Sequence, residues 1–243
     1  MTSRDEHIAE PGLRWPELLR GTLILRYQRF LADVQLDDGR RVTAHCPNTG
    51  SMRGCCEPGR TVYLSHHNDP RRKLPFSWVL IEMPTSLVGV NTLVPNRLVQ
   101  KAVERKQIRE LAGYDEVRRE VRVGHNSRID LMLTAADGRR CFVEIKNCTL
   151  VENGIALFPD AVTSRGLKHV EELRKLVETG SRCVLFFCIQ RMDARVFRPA
   201  AHIDPAYSEA LRRAAGCGVE TLAYDVMIDL GGIRLNCSRD CEI

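Results

Sequence analysis

Eight consecutive residues, Arg182-Cys183-Val184-Leu185-Phe186-Phe187-Cys188-Ile189, form an almost wholly apolar run with no polar alternation. A strand with one wet face alternates, so such a run reads as a strand covered on both faces. It demands a sheet sandwiched between other layers, and the neighbouring segments supply them. Upstream, Thr163, Gly166, Val170, Leu173 and Val177 share a stripe at helical spacing over residues 161–178, with Gly180 as the stop. Downstream, Asp204-Pro205 caps a helix through Ala215, and strands follow at 219–228 and 233–235. Further upstream, residues 96–111 read as a helix ended by Gly113, and three strands follow at 117–123, 128–133 and 141–146. Helix, three strands, helix, strand, helix, strand is the order of an α/β domain, placed at residues 91–243, with 182–189 as its central strand.

The first part of the chain reads differently. Residues 23–36 are rich in β-favouring side chains, Asp37-Asp38-Gly39 is a turn, and 41–45 alternates, which together read as a β-hairpin. A Gly/Pro cluster separates it from apolar strands at 62–65, 78–82 and 87–90. Five or so short strands in about seventy residues predict a small β-barrel, residues 1–90 with an N-terminal extension at 1–16; an oligonucleotide-binding (OB-like) barrel fits, as do other small barrels. His45, Asn48, Thr49 and Arg53 surround its Gly/Pro-rich loop, which either binds phosphate or is a tight turn that satisfies its own backbone. Arg71-Arg72-Lys73 stands beside Phe76 and Trp78, and Arg118, Arg119, Arg122 and Arg128 cluster later. Basic groups interleaved with aromatics suit phosphate neutralisation with base stacking; the plain alternative is a solvated basic face.

Composition closes off other classes. Among 243 residues, 44% hydrophobic and 28% charged excludes a disordered or fibrous chain, while a net charge of +5 by itself says little about partners. Residues 1–10 lack the apolar run of a secretory signal, and no apolar stretch is long enough to span a bilayer, so a cytoplasmic protein without membrane attachment is expected. The ten cysteines are expected to be reduced, with Cys141, Cys183 and Cys188 in the core. No C-x-x-C pair occurs and no zinc is expected.

The sharpest chemical feature is Asp130 followed by Glu144-Ile145-Lys146. Residues two apart on a strand share a face, so Glu144 and Lys146 emerge together, about 6.6 Å apart along the strand. Asp130 emerges on the polar side of its own strand, and the hairpin loop decides whether it meets Glu144. A two-residue loop, Asp137-Gly138, would set it opposite Ile145. A three-residue loop, Ala136-Asp137-Gly138, with glycine in the left-handed position of a bulge, would set it opposite Glu144. The odd-numbered loop is predicted. Facing carboxylates repel unless a cation lies between them, and oxygen ligands suit Mg²⁺ or Mn²⁺. Asp130 and Glu144 are then metal ligands, and Lys146 stabilises charge on a phosphoryl group. The bland alternative is an exposed hairpin with a cross-strand ion pair. On the helix after Asp160, Arg165 and His169 lie four apart, placed either to contact phosphate or, for His169, to serve the structure.

These residues resemble the PD-(D/E)xK nuclease superfamily, whose αβββαβ core this order matches. The whole chain from about residue 21 to 224 is similar to the sugar fermentation stimulation protein A (SfsA) family. The carrying motifs are His45-Cys46-Pro47-Asn48-Thr49-Gly50-Ser51-Met52, Ser127-Arg128-Ile129-Asp130, Val143-Glu144-Ile145-Lys146 and Phe158-Pro159-Asp160-Ala161-Val162-Thr163-Ser164-Arg165-Gly166-Leu167-Lys168-His169. The resemblance implies an OB-like domain followed by a restriction-endonuclease-like one, and DNA binding with little sequence preference. By position it makes Asp130, Glu144 and Lys146 the catalytic set. It also implies a further acid, for which Glu110 and Glu104 are candidates and Glu120 a strand alternative. Two functions compete: a Mg²⁺- or Mn²⁺-dependent nuclease, and a DNA-binding transcriptional regulator linked to sugar metabolism that retains the scaffold without turnover. RNA as the polymer and a homodimer both stay open.

Overall fold

A computed structural model of the chain describes residues 12–123 and 127–243. The first eleven residues of the expected 1–16 extension lie outside them. The first strand among the described residues, β1 (Leu13–Arg14), pairs not with the barrel but with the last strand of the second domain.

The barrel is built from β2 (Leu18–Tyr27), β3 (Leu31–Leu36), β4 (Arg41–His45), β5 (Thr61–His66) and β6 (Phe76–Met83), with β7 (Ser86–Gly89) added alongside β6. Antiparallel pairs β2–β3, β3–β4, β2–β5 and β5–β6 are joined into a ring by a parallel contact, Ala44 opposite Phe76 and His45 opposite Ser77. Segment 23–36 is itself a hairpin, broken at Gln28 and Arg29, whose φ angles are 49° and 66°. Leu23, Val34, Val62, Leu64 and Trp78 fill the interior. Trp78, expected to stack on bases, is fully buried there and its indole N–H donates to Leu80 O.

The second domain begins with α1 (Val94–Glu104), shorter than the expected 96–111. Polar Glu104 to Gln107 cannot continue the apolar stripe; Lys106 turns into the left-handed region (φ 56°) and a 3₁₀ turn, Arg109–Leu111, returns Ile108 and Leu111 to the core. Three strands follow, β8 (Glu116–Val123), β9 (Ser127–Thr134) and β10 (Arg140–Cys148), then a hairpin of β11 (Leu150–Glu152) and β12 (Ile155–Phe158) that the sequence reading passes over. The rest is α2 (Ser164–Glu178), β13 (Arg182–Ile189), β14 (Val196–Pro199), α3 (Pro205–Gly216), β15 (Glu220–Ile228) and β16 (Gly232–Cys241).

These strands form one sheet in the order β11-β12-β14-β16-β15-β13-β10-β9-β8, with β1 on β16. β13 lies parallel to both β10 and β15. Its Val184, Phe186 and Cys188 pack with Leu98 and Val99 of α1, while Cys183, Leu185, Phe187 and Ile189 pack with Val170 and Leu173 of α2 and Leu211 of α3. Both sides are dry, which accounts for the missing alternation. Helix α2 is capped by Thr163, whose hydroxyl accepts from Gly166 N, and α3 by Asp204, whose carboxylate accepts from Tyr207 N. No described helix is long and apolar enough to cross a membrane.

The chain thus has an N-terminal OB domain and a C-terminal restriction-endonuclease-like α/β domain. The two share a core, because Tyr63, Val79 and Leu80 of the barrel pack in one cluster with Leu98, Val143 and Phe186. At the seam, buried Arg191 pairs with Asp193 and donates to Thr149 O, and Asp193 also takes the Thr85 hydroxyl from the barrel.

Candidate active site

The hairpin from β9 to β10 turns through Ala136-Asp137-Gly138, with Gly138 at φ 83° and Ala135 bonded to Arg139 below it. Pairing runs from Thr134–Arg140 to Leu131–Val143. The next register position sets Asp130 opposite Glu144. There the ladder ends, and the Asp130 side chain takes over: its Oδ2 accepts from Ile145 N at 2.7 Å and its Oδ1 from Asn96 Nδ2 of α1 at 2.7 Å. On β10, Val143 and Ile145 enter the core on the α1 side, so Glu144 and Lys146 face α2.

Helix α2 meets them with His169. Lys146 Nζ donates to Glu144 Oε1 at 2.8 Å, and His169 Nδ1 lies 3.2 Å from Lys146 Nζ and also contacts Glu144 Oε1. Gly166 leaves room at the start of α2 for its Thr163 cap and for Tyr207 of α3, since a Cβ would stand 2.6 Å from Thr163 Cγ2 and 3.2 Å from Tyr207. Glu144, Lys146 and His169 are all buried. Burial, with Glu144 second, raises Asp130 to about 6. Burial also pushes Glu144 upward, but Lys146 and His169 outweigh it and hold that carboxyl below its ordinary value. Glu144 Oε2 is buried and has no hydrogen-bond partner among the described residues.

The group opens onto a cavity of about 880 Å³ whose walls include Glu120, Arg122, Arg128, Arg165 and Lys168. Glu120 is bracketed by the pairs Arg119–Leu131 and Val121–Ile129, which places it across from Asp130 on the other side; its φ is 51°. Three acids therefore occupy one row over β8, β9 and β10. No group of three His, Cys, Asp or Glu side chains among the described residues already closes round a cation. The donors present are Asp130 and Glu144, with Glu120 across the cavity.

Other expected residues lie elsewhere. Glu110 is in the 3₁₀ turn and accepts from the Tyr224 hydroxyl at 2.7 Å, outside the cavity walls, because α1 ends before it. Glu104 accepts from Gln100 Nε2. Asn48 is buried and braces its own loop, donating to Val90 O and accepting from Gly50 N. Arg71, Arg72 and Lys73 are exposed but line neither this cavity nor its neighbour; Arg71 pairs with Asp69, and Arg72 donates to Ser77 Oγ. Arg53 is exposed and also outside those walls. Arg128, Arg165 and His169 do line the cavity. Asn96 and Lys168 join the site beyond the candidates the sequence offers. Lys168 carried a signal, three residues beyond Arg165 on the same helix, whereas Asn96 carried none.

The loop of residues 47–52 is fastened across the domain junction. Ser51 Oγ donates to Asp160 Oδ2 at 3.0 Å and Met52 N donates to the same oxygen at 2.8 Å. From the barrel side, the Arg26 guanidinium donates to the carbonyls of Arg29, Asn48, Gly50 and Ser51. The two longest sequence motifs thus hold each other in place.

Residues 24–90 match the family model described as the SfsA N-terminal OB domain, and residues 93–232 match the sugar fermentation stimulation protein RE domain. A sugar fermentation stimulation protein homolog of Geobacter sulfurreducens is 54% identical over 218 residues, covering 90% of this chain and 93% of the relative. One from Thioalkalivibrio sulfidiphilus is 51% identical over 230 residues, covering 94% and 97%. Among solved structures, Pyrococcus furiosus SfsA in complex with Ca²⁺ matches with a TM-score of 0.88 at 28% identity, over 97% of this chain and 100% of that one. With both domains matched in order and half the residues shared along nearly the full length, this chain belongs to the sugar fermentation stimulation protein family.

Proposed function

We propose that this protein binds DNA with little sequence preference and hydrolyses phosphodiester bonds at a site where Asp130 and Glu144 hold Mg²⁺ or Mn²⁺. The observation that carries this reading is the unpartnered, buried Glu144 Oε2 beside a second carboxylate whose ionisation is opposed by burial and by Glu144 itself. A divalent cation would resolve both, since it satisfies the orphan oxygen and removes the repulsion. The Ca²⁺ complex of the Pyrococcus furiosus relative supports a divalent ion of oxygen-ligand character.

Such an ion would supply Lewis acidity and a water of lowered pKa. The chain's own groups do the rest. The Ile145 amide and Asn96 fix both oxygens of Asp130. Lys146, held at Glu144 Oε1, presents its ammonium where charge develops on the phosphoryl oxygens. Arg122, Arg128 and Arg165 rim the cavity and would position backbone phosphates. This contact class carries no base readout, in keeping with weak sequence preference.

One observation favours a second reading: Lys146 and His169 already meet at Glu144 Oε1, compensating its charge from within the protein. On that reading the protein binds DNA without turnover, in a role tied to the sugar fermentation of its relatives' names. The two separate in one experiment. Supercoiled, linear and single-stranded DNA are incubated with Mg²⁺ or Mn²⁺ and wild-type, E144Q or K146A protein, with binding measured in parallel. The nuclease reading expects metal-dependent cleavage lost at least a hundredfold in both variants while binding persists. Binding without cleavage under every metal and substrate would establish the second reading.

A further inference from the structure

A second cavity of about 650 Å³ lies between the barrel and the sheet, and it shares Ile145, Lys146, Phe158 and Thr163 with the walls of the first. The two therefore adjoin across a shared wall, and together they line a groove that reaches from the carboxylates to Arg29 in the barrel turn that joins β2 to β3. Arg29 lines this far end. Its side chain is exposed and forms no hydrogen bond or ion pair with the described residues. Phe30, the next residue of the turn, is 45% exposed and lies at the rim of the turn rather than in the cavity wall itself. The exposed apolar side chain in the wall itself is Val162, at 78% exposure.

The turn is held in a costly conformation. Gln28 and Arg29 both have positive φ, which non-glycine residues rarely adopt, and Arg26 secures them with two bonds to Arg29 O at 2.7 and 3.1 Å. The same guanidinium ties the turn to the loop of residues 48–51, so the turn is fixed in relation to the groove. An exposed aromatic residue next in the chain to a cation with no partner among the described residues, at the end of a groove leading to the proposed phosphodiester site, fits stacking on a base with neutralisation of the adjoining phosphate. Loops of this position on OB barrels are suited to such contacts. The one carboxylate in the wall of this second cavity, Asp160, accepts from Ser51 and Met52.

We infer that the Gln28-Arg29-Phe30 turn is a base-stacking subsite, and that the substrate which engages the whole groove is DNA with an unpaired segment. In a duplex the base faces are hidden by their neighbours, so Phe30 could not stack and only phosphate contacts would remain. The inference rests on the DNA-binding reading above and names the substrate class for it.

The test uses the full-length protein with an oligothymidylate of about 12 nucleotides, a length within the usual span of one OB barrel, and a duplex of similar length. F30A is expected to weaken oligothymidylate binding about tenfold, the lower range for a lost base stack, and to leave duplex binding within twofold. F30W is expected to restore binding and to show fluorescence quenched by the oligonucleotide. R29G keeps a positive φ at no steric cost, so it should melt no lower than wild type and yet bind the single strand more weakly and with a shallower salt dependence. If wild type binds both DNAs while F30A and R29G alter neither, the subsite is refuted and the DNA reading stands. If wild type binds neither, both fall.

Discussion

Asp130 carries a charge that its place opposes, because it is partly buried between Glu144 and the register position of Glu120. Its folded pKa is raised from 3.8 to about 6, so its favourable contribution to stability is full below about 4 and is lost as pH rises through about 6. The shift of roughly two units bounds the effect at about 3 kcal/mol, at 1.36 kcal/mol per unit. Metal-free D130N should therefore melt above wild type at pH 8, with the gap closing as pH falls to 5. Added Mg²⁺ should raise only the wild type. Thermal melts with chelator and with metal check both; a D130N that melts below wild type at pH 8 would contradict the account. On the metal-site reading proposed above, Glu120 would act at longer range, so E120Q should weaken Mn²⁺ binding by about tenfold, at the low end for an outer partner of a metal site, as read by titration. The pairing of Asp130 with Glu144 was legible in the sequence, since Gly138 betrays the loop length. Trp78 was not, because an indole that stacks on a base and one that fills a barrel look alike in a string of letters. Glu120 stood in the sequence only as the strand alternative to Glu110 and Glu104, because its place depends on the β8–β9 register and on a left-handed residue inside a strand.

At the scale of elements, β13 carries the core. Phe187 stacks on Phe197 with ring centroids 4.0 Å apart and lies 5.6 Å from Phe158. F187A should cost about 3–5 kcal/mol, the usual range for a buried Phe truncated to Ala, as measured by urea unfolding. The unbroken apolar run announced this strand, and Asp204-Pro205 announced α3. The β11–β12 hairpin also had its signal, Asn153-Gly154, both at positive φ. What hid it is its brevity: three and four residues leave little room for alternation to show. Helix α1 was overdrawn because Ile108 and Leu111 keep its apolar spacing although the chain between them and Val103 leaves the helix.

For the whole molecule, the barrel and the sheet share one cluster, so a single cooperative unfolding transition is expected by both fluorescence and circular dichroism. Arg191 is the junction's buried cation, with Asp193 as its partner. R191M leaves that carboxylate uncompensated and should cost about 3–5 kcal/mol, whereas the double variant R191M/D193L should recover much of the loss. DNA affinity should fall steeply with salt, with log K linear in log salt concentration, and vary little among sequences at fixed salt. A strong preference for one operator would speak against the groove as a backbone-tracking surface. The arrangement of the two domains was the least legible feature, because a composition change near residue 91 marks a boundary along the chain and says nothing about Tyr63, Val79 and Leu80 crossing it.

That crossing bears on how such a protein can change over generations. Asp160 grips the loop of residues 47–52 from the far side of the boundary, so the barrel and the sheet are not separable parts that recombination could exchange one at a time. A chimera joining this barrel to a distant relative's second half would have to bring Asp160, Arg191 and the shared apolar contacts as a set. Descent in this family should therefore favour inheritance of the two halves together.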